Sequence, residues 1–155
     1  MQWLSNKNAT NGNYICKNII MNVFAKKSSD MMDAAEVLQD SSCFTSIPHC
    51  AYYACHQIVR SIWFNVLGKD EDDIDNAISN SSTRTGVHEV LNNEITQHIL
   101  SINQNDGLSF KNEIAKLKKL RIDADYQEIV INQNEATKAI NYAKNIIRTL
   151  NNYQQ

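Results

Sequence analysis

Leu120-Arg121-Ile122-Asp123-Ala124-Asp125-Tyr126 closes a run whose apolar residues return at helical spacing. Phe110, Ile114, Leu117, Arg121 and Ala124 recur at steps of three and four, which marks one face of an α-helix. Arg121 therefore falls in the apolar seam. A guanidinium keeps its charge at any accessible pH, so this position is costly unless something pairs with it. Three partners are open: Asp125 one turn on, a second chain, or a phosphate.

The same periodicity continues outward from this stretch. On the C-terminal side, Asn132-Gln133-Asn134-Glu135 has the form of a capping box. Ala136, Ala139, Ile140, Ala143, Ile146, Ile147 and Leu150 then form a clean stripe. On the N-terminal side, Ser109 is the expected cap of the Arg121 helix and Asn103–Gly107 a break. Val87–Ile102 is a further helix, with Val90, Leu91, Ile95, Ile99 and Leu100 inward. Lys69–Gly86 reads as an exposed loop with one helical turn at Ile74–Ile78.

Ile47–Leu67 is apolar nearly all round. Ser46 is its expected N-cap, Pro48 lies in the first turn, and Gly68 is a natural stop. A helix apolar on every side is buried on every side, as a central core helix, a subunit interface, or both. Further upstream, Tyr14–Lys26 carries a stripe of Ile15, Ile19, Ile20, Val23 and Phe24, with Cys16 at its margin. A run from Ser29 carries Met32, Ala35, Val37 and Leu38. These are two helices or one long one. Residues 1–12 are polar and without a period. No stretch shows sustained strand alternation. The expected fold is an all-α, up-and-down bundle of about five helices, with 1–28 as a partly helical N-terminal extension and 29–155 as the helical domain.

Composition fits one domain with one core: 155 residues, 43% hydrophobic, with one Pro and four Gly. A net charge of −2 gives no global field toward nucleic acid or a membrane surface. Lys111, Lys116, Lys118, Lys119 and Arg121 are the densest basic patch, and the lysines read as a solvated helix face. No apolar run is long enough for a membrane span, and no signal peptide is visible. The four cysteines then read as thiols of a cytoplasmic protein. His49-Cys50-Ala51-Tyr52-Tyr53-Ala54-Cys55-His56 looks metal-rich. On a helix, however, its two histidines are about 10.5 Å apart along the axis, too far to share one tetrahedral ion. Buried cysteines on a core helix are the better reading.

Three segments together resemble the HEPN domain family across about residues 29–151. Ser46–His56 is similar to its small-residue, double-tyrosine second helix. Thr85-Gly86-Val87-His88 resembles the start of its third helix, and Leu120–Tyr126 its "R…ADY" segment. The resemblance implies a helical bundle that commonly dimerises, here through Ile47–Leu67. Many such proteins are metal-independent RNases of toxin–antitoxin or antiviral defence systems, using an Arg followed after four to six residues by His. In this chain the Arg is Arg121. Spacers of four, five and six residues lead to Tyr126, Gln127 and Glu128, leaving an Arg-x4-Tyr variant.

The resulting candidate catalytic residues are Arg121, Tyr126 and Asp125, with no cofactor and no metal. Arg121 would hold the scissile phosphate, or else pair with Asp125 or a partner helix. Tyr126 would donate to a phosphate or stack on a base, or else bury its ring at the end of the bundle. Asp125 orients Arg121, and Asp123 reads as solvated. His88 and His56 are the displaced imidazoles that could replace the absent one. Tyr52, Tyr53, Trp63 and Phe64 read as packing. Three functions remain open: an RNase, a non-catalytic module binding RNA, a nucleotide or a partner such as a nucleotidyltransferase or other defence-system subunit, and a homodimerising structural subunit. In some relatives a tyrosine near this motif receives a nucleotide, and Tyr126 is the candidate here.

Overall fold

A computed structural model describes residues 8–81 and 85–155, with side chains from residue 23 onward. Among the described residues there are six α-helices and no strand. They are α1 (Asn8–Asp40), α2 (Ile47–Asn65), α3 (Glu71–Ser79), α4 (Val87–Ile102), α5 (Gln104–Tyr126) and α6 (Gln133–Asn151), with a short 3₁₀ turn at Phe44–Ser46 before α2.

Helix α2 is the axis of the bundle and packs on α1, α4, α5 and α6. Its all-round apolarity is thus met within one chain. Ala51, Ala54, Cys55, Val59, Ile62 and Trp63 are buried along it. The Trp63 indole donates to the Asp70 carbonyl at 3.0 Å, which fixes the turn into α3. Helix α4 contributes Leu91, Ile95 and Ile99, and α5 contributes Phe110 and Leu117. Burial of each such side chain stabilises the fold by about 1.5–3 kcal/mol. No helix of the described residues is long and apolar enough to cross a membrane. Cys43, Cys50 and Cys55 are free thiols.

Local chemistry explains most boundaries. The capping box at the start of α6 forms as expected, with Asn132 and Glu135 exchanging bonds at 3.0 Å. Gly68 ends the α2 region at φ 65, and Lys69 N–H bonds back to the Trp63 carbonyl at 3.2 Å. Other boundaries differ from expectation. Residues 8–12 are helical, and the two N-terminal runs are one unbroken helix. Val23 and Val37 are exposed rather than inward, while Phe24 and Ala35 are buried. Ile15, Cys16, Ile19 and Ile20 lie outside the residues whose side chains are described. Ser46 does not cap α2: its backbone is already helical (φ −85, ψ −10), so its hydroxyl lacks the extended cap geometry. The expected loop contains a full helix, α3, started by a capping box of Asp70 and Asp73.

The largest difference lies between α4 and α5. One residue, Asn103, ends α4 and begins α5. Its side chain accepts from the N–H groups of Asn105 and Asp106 at 3.0 and 3.2 Å, so α5 starts five residues before Ser109. Gly107 lies inside α5 because the helices nearly touch there. A Cβ at that position would sit 2.6 Å from the Leu100 side chain and 2.9 Å from its Cα.

Candidate functional site

Three helix segments converge on Arg121. The last turn of α5 supplies Arg121, Asp125 and Tyr126. The N-terminal half of α2 supplies His49, Tyr52, Tyr53 and His56, whose spacing of three, one and three puts them on one helical face. The first turns of α4 supply His88 and Asn92.

The Arg121 side chain is 16% exposed. Its Nε lies 2.7 Å from Asp125 Oδ2, an ion pair whose angle is too bent for a hydrogen bond. One terminal nitrogen donates to the hydroxyls of Tyr53 at 3.0 Å and Tyr126 at 3.2 Å. The guanidinium carbon lies 5.0 Å from the Tyr126 ring centre, 5.4 Å from Tyr53 and 6.0 Å from Tyr52, within cation–π range of all three. Burial works against the cation, but the facing Tyr53, Asp125 and Tyr126 outweigh it and raise its pKa. The chain itself therefore pairs the charge in the seam, through Asp125 and two phenols.

Asp125 also has a second partner. His49 Nδ1 lies 3.0 Å from the same Oδ2, and its ring packs on Tyr53 at 4.6 Å. Asp125 thus ties the start of α2 to the end of α5. Tyr126 is 67% exposed, so the expectation of a buried ring fails: the helix ends beside it, and it is held by its hydroxyl bond and its ring contact with the Arg121 guanidinium. Asp123 is paired with Lys119. The neighbouring lysines are also engaged, with Lys118 3.9 Å from Glu89 and Lys116 over the Tyr142 ring.

Behind Arg121 is a cluster of rings. Tyr52 is buried, and its hydroxyl lies 3.2 Å from His88 Nδ1 and 3.4 Å from the Asn92 amide nitrogen. His88 stacks on His56 at 4.0 Å with 15° between the planes. His56 is 6% exposed, and its Nδ1 has no hydrogen-bond partner. Burial, then His88 and Arg60, push its pKa down to about 3. Burial, then Arg121, Lys118 and Arg60, lower that of His88. Both imidazoles are accordingly neutral near pH 7.

The expected trio of Arg121, Asp125 and Tyr126 is together, and His88 and His56 lie behind it. His49 and Tyr53 are the additions that sequence reasoning missed. Tyr53 is half-buried at the site rather than core, and His49 meets Asp125 across 76 positions of chain.

The family model described as HEPN domain matches residues 21–153. The chain belongs to the HEPN family. Searches of curated proteins and of solved structures returned no match. For a HEPN domain the all-helical bundle is the expected architecture, and Arg121–Tyr126 lies within the matched range.

Proposed function

We propose that this HEPN protein is a metal-independent endoribonuclease of a toxin–antitoxin or antiviral defence system, with Arg121 as its phosphate clamp. The observation that carries the reading is the Arg121 arrangement. Asp125 holds the Nε edge of the guanidinium, and a terminal nitrogen points toward the hydroxyl of the exposed Tyr126. Replacing the two phenol bonds by bonds to a phosphate would put an ionised acceptor at the same nitrogen.

The chemistry needs no metal. A ribose 2′-hydroxyl attacks the adjacent phosphorus, and the bond to the 5′-oxygen breaks. A cation beside the pentacovalent phosphorus offsets the developing charge. Tyr126 is the exposed hydroxyl nearest the clamp and would protonate the leaving 5′-oxygen, while Asp125, held by His49, keeps the guanidinium in position. The test is cleavage of single-stranded RNA in excess chelator. It should produce cyclic phosphate ends, stop when the attacking 2′-hydroxyl is replaced by hydrogen, and fall in Arg121→Ala by about 100-fold or more. Intact RNA after prolonged incubation with folded protein overturns it.

One observation favours a second reading. Arg121 is largely covered and already paired with its own Asp125, which suits a non-catalytic module binding RNA, a nucleotide or a protein partner such as a nucleotidyltransferase. That reading requires a stable complex without turnover. A homodimer belongs to either reading. The half-buried strip His49, Tyr53, Arg60 and Phe64 is the part of α2 left for a second copy, and light scattering giving a monomer removes that element.

A further inference from the structure

The clamp leaves one proton unassigned: that of the attacking 2′-hydroxyl. We infer that His88, carried on the first turn of α4, is the catalytic residue that takes this proton, with His56 and Tyr52 as its positioning residues. The inference rests on the RNase reading above and adds the base which the Arg-x4-Tyr segment lacks.

Geometry is the first support. His88 and Arg121 pack on the same two rings: His88 lies 5.5 Å from the Tyr52 ring centre and 5.6 Å from Tyr53, against 6.0 and 5.4 Å for the Arg121 guanidinium carbon. An imidazole and a guanidinium thus flank one aromatic corner, although 33 positions separate them in sequence. The second support is how the imidazole is held. His56 stacks on it at 4.0 Å and fixes its plane. His56 cannot itself reach a substrate because it is 6% exposed. The Tyr52 hydroxyl faces His88 Nδ1 at 3.2 Å. When it accepts the Nδ1 proton, the Nε2 lone pair is free to act as base.

Charge gives the third support. Among the described residues, the groups around His88 are Tyr52, Tyr53, His56 and Arg60 on α2, Glu89 on its own helix, and Lys118 and Arg121 on α5. Glu89 is drawn toward Lys118 at 3.9 Å, and Arg60 is paired with Glu71 at 2.6 Å. Burial first, and then these cations, keep the free imidazole neutral. A phosphate bound to Arg121 offsets that field, so His88 becomes the stronger base when substrate is present. The proton balance closes: His88 Nε2 gains the 2′-hydroxyl proton, the O2′–phosphorus bond forms, the 5′-oxygen leaves with the Tyr126 proton, and solvent returns both groups to their starting forms.

The experiment is RNA cleavage in chelator across pH. For wild type, kcat/KM should fall with a one-proton limb on the acid side of pH 6.5, the reference value that His88 lies below. His88→Ala should lose about 10²–10⁴-fold in kcat and regain part of it with added imidazole, a rescue that a purely structural role would not give. His56→Phe and Tyr52→Phe should lower kcat with KM little changed. If Arg121→Ala is inactive while His88→Ala keeps both its rate and its acid limb, this inference fails and the RNase reading stands. If wild type does not cleave, both fail. Should His88→Ala unfold, NMR titration of wild type decides: the His88 pKa should rise on adding a 2′-deoxy oligonucleotide, and an unchanged value overturns the inference.

Discussion

Cys55 and His56 are consecutive in α2, yet they look into different surroundings. Cys55 is fully buried and turns toward α6, where its thiol approaches the Ala143 carbonyl at 3.7 Å and burial pushes its pKa up. His56 turns toward α4, where it meets another imidazole and lies in the field of Arg60. Cys55 belongs to the main apolar core together with Ala51, Ala139 and Ala143, and among the described residues Glu113 is the one charged group acting on it. Around His56 the neighbours are rings, hydroxyls and cations. One side of α2 is packed for density. The other is packed with groups that can bind an anion or move a proton, and among the described residues the buried nitrogens without a hydrogen-bond partner, on His56, Arg60 and Arg121, lie there. A helix buried on every side is thus not uniform: its two sides divide stability from chemistry.

Substitutions on each side should separate these roles. Cys55→Asp places an unpaired charge in the dry side and should cost roughly 3–5 kcal/mol in denaturant unfolding. If it is tolerated, that side is not dry. Arg121→Ala should cost about 2.7–4 kcal/mol of transition-state stabilisation in RNA cleavage, with a much smaller change in melting temperature. A large melting shift would make Arg121 a structural residue. Ala143→Leu overpacks the Cys55 contact and should destabilise by about 1–3 kcal/mol while cleavage by the remaining folded protein is unchanged.

Taken per pH unit, the acid response is the next smaller effect. The pKa of His56 falls from 6.5 to about 3 on folding, so the unfolded chain takes up a proton that the folded one refuses. Stability is unaffected well above pH 6.5 and declines as pH falls toward 3, by at most about 1.4 kcal/mol per pH unit for this group. His88 adds to the decline with the same sign. His56→Phe keeps the stack and should flatten the slope by up to one proton. The smallest effect on stability should come from Tyr126→Phe, less than about 0.5 kcal/mol, although loss of the leaving-group acid should slow cleavage by about 10²–10⁴-fold.

Much of the fold could be read from periodicity because the helices carry their own signals. The expected and observed limits of α4 coincide, and α6 begins where Asn132 and Glu135 cap it. The start of α5 was hidden because Gly107 looks like a break, whereas it is a point of near contact with Leu100. Helix α3 was hidden because Ile74 is its one fully buried residue, too few for a stripe. At the site, Arg121 and Asp125 were legible as neighbours one turn apart. The His49–Asp125 and His56–His88 contacts join different helices, and nothing local in a sequence encodes such a meeting. The opposing neighbour decides it, as Cys55 and His56 illustrate.

The single-residue joint at Asn103 has a further consequence. It makes α4 and α5 a pair of levers hinged at one point, with His88 15 residues before it and Arg121 18 residues after it. Inserting one residue in either arm would swing everything beyond it by about 100° and advance it about 1.5 Å. Imidazole and guanidinium would then no longer share an aromatic corner. Length changes should therefore be tolerated between α3 and α4, or between α5 and α6, far better than within the arms. The spacing from Val87 to Tyr126 behaves as a single gauge length.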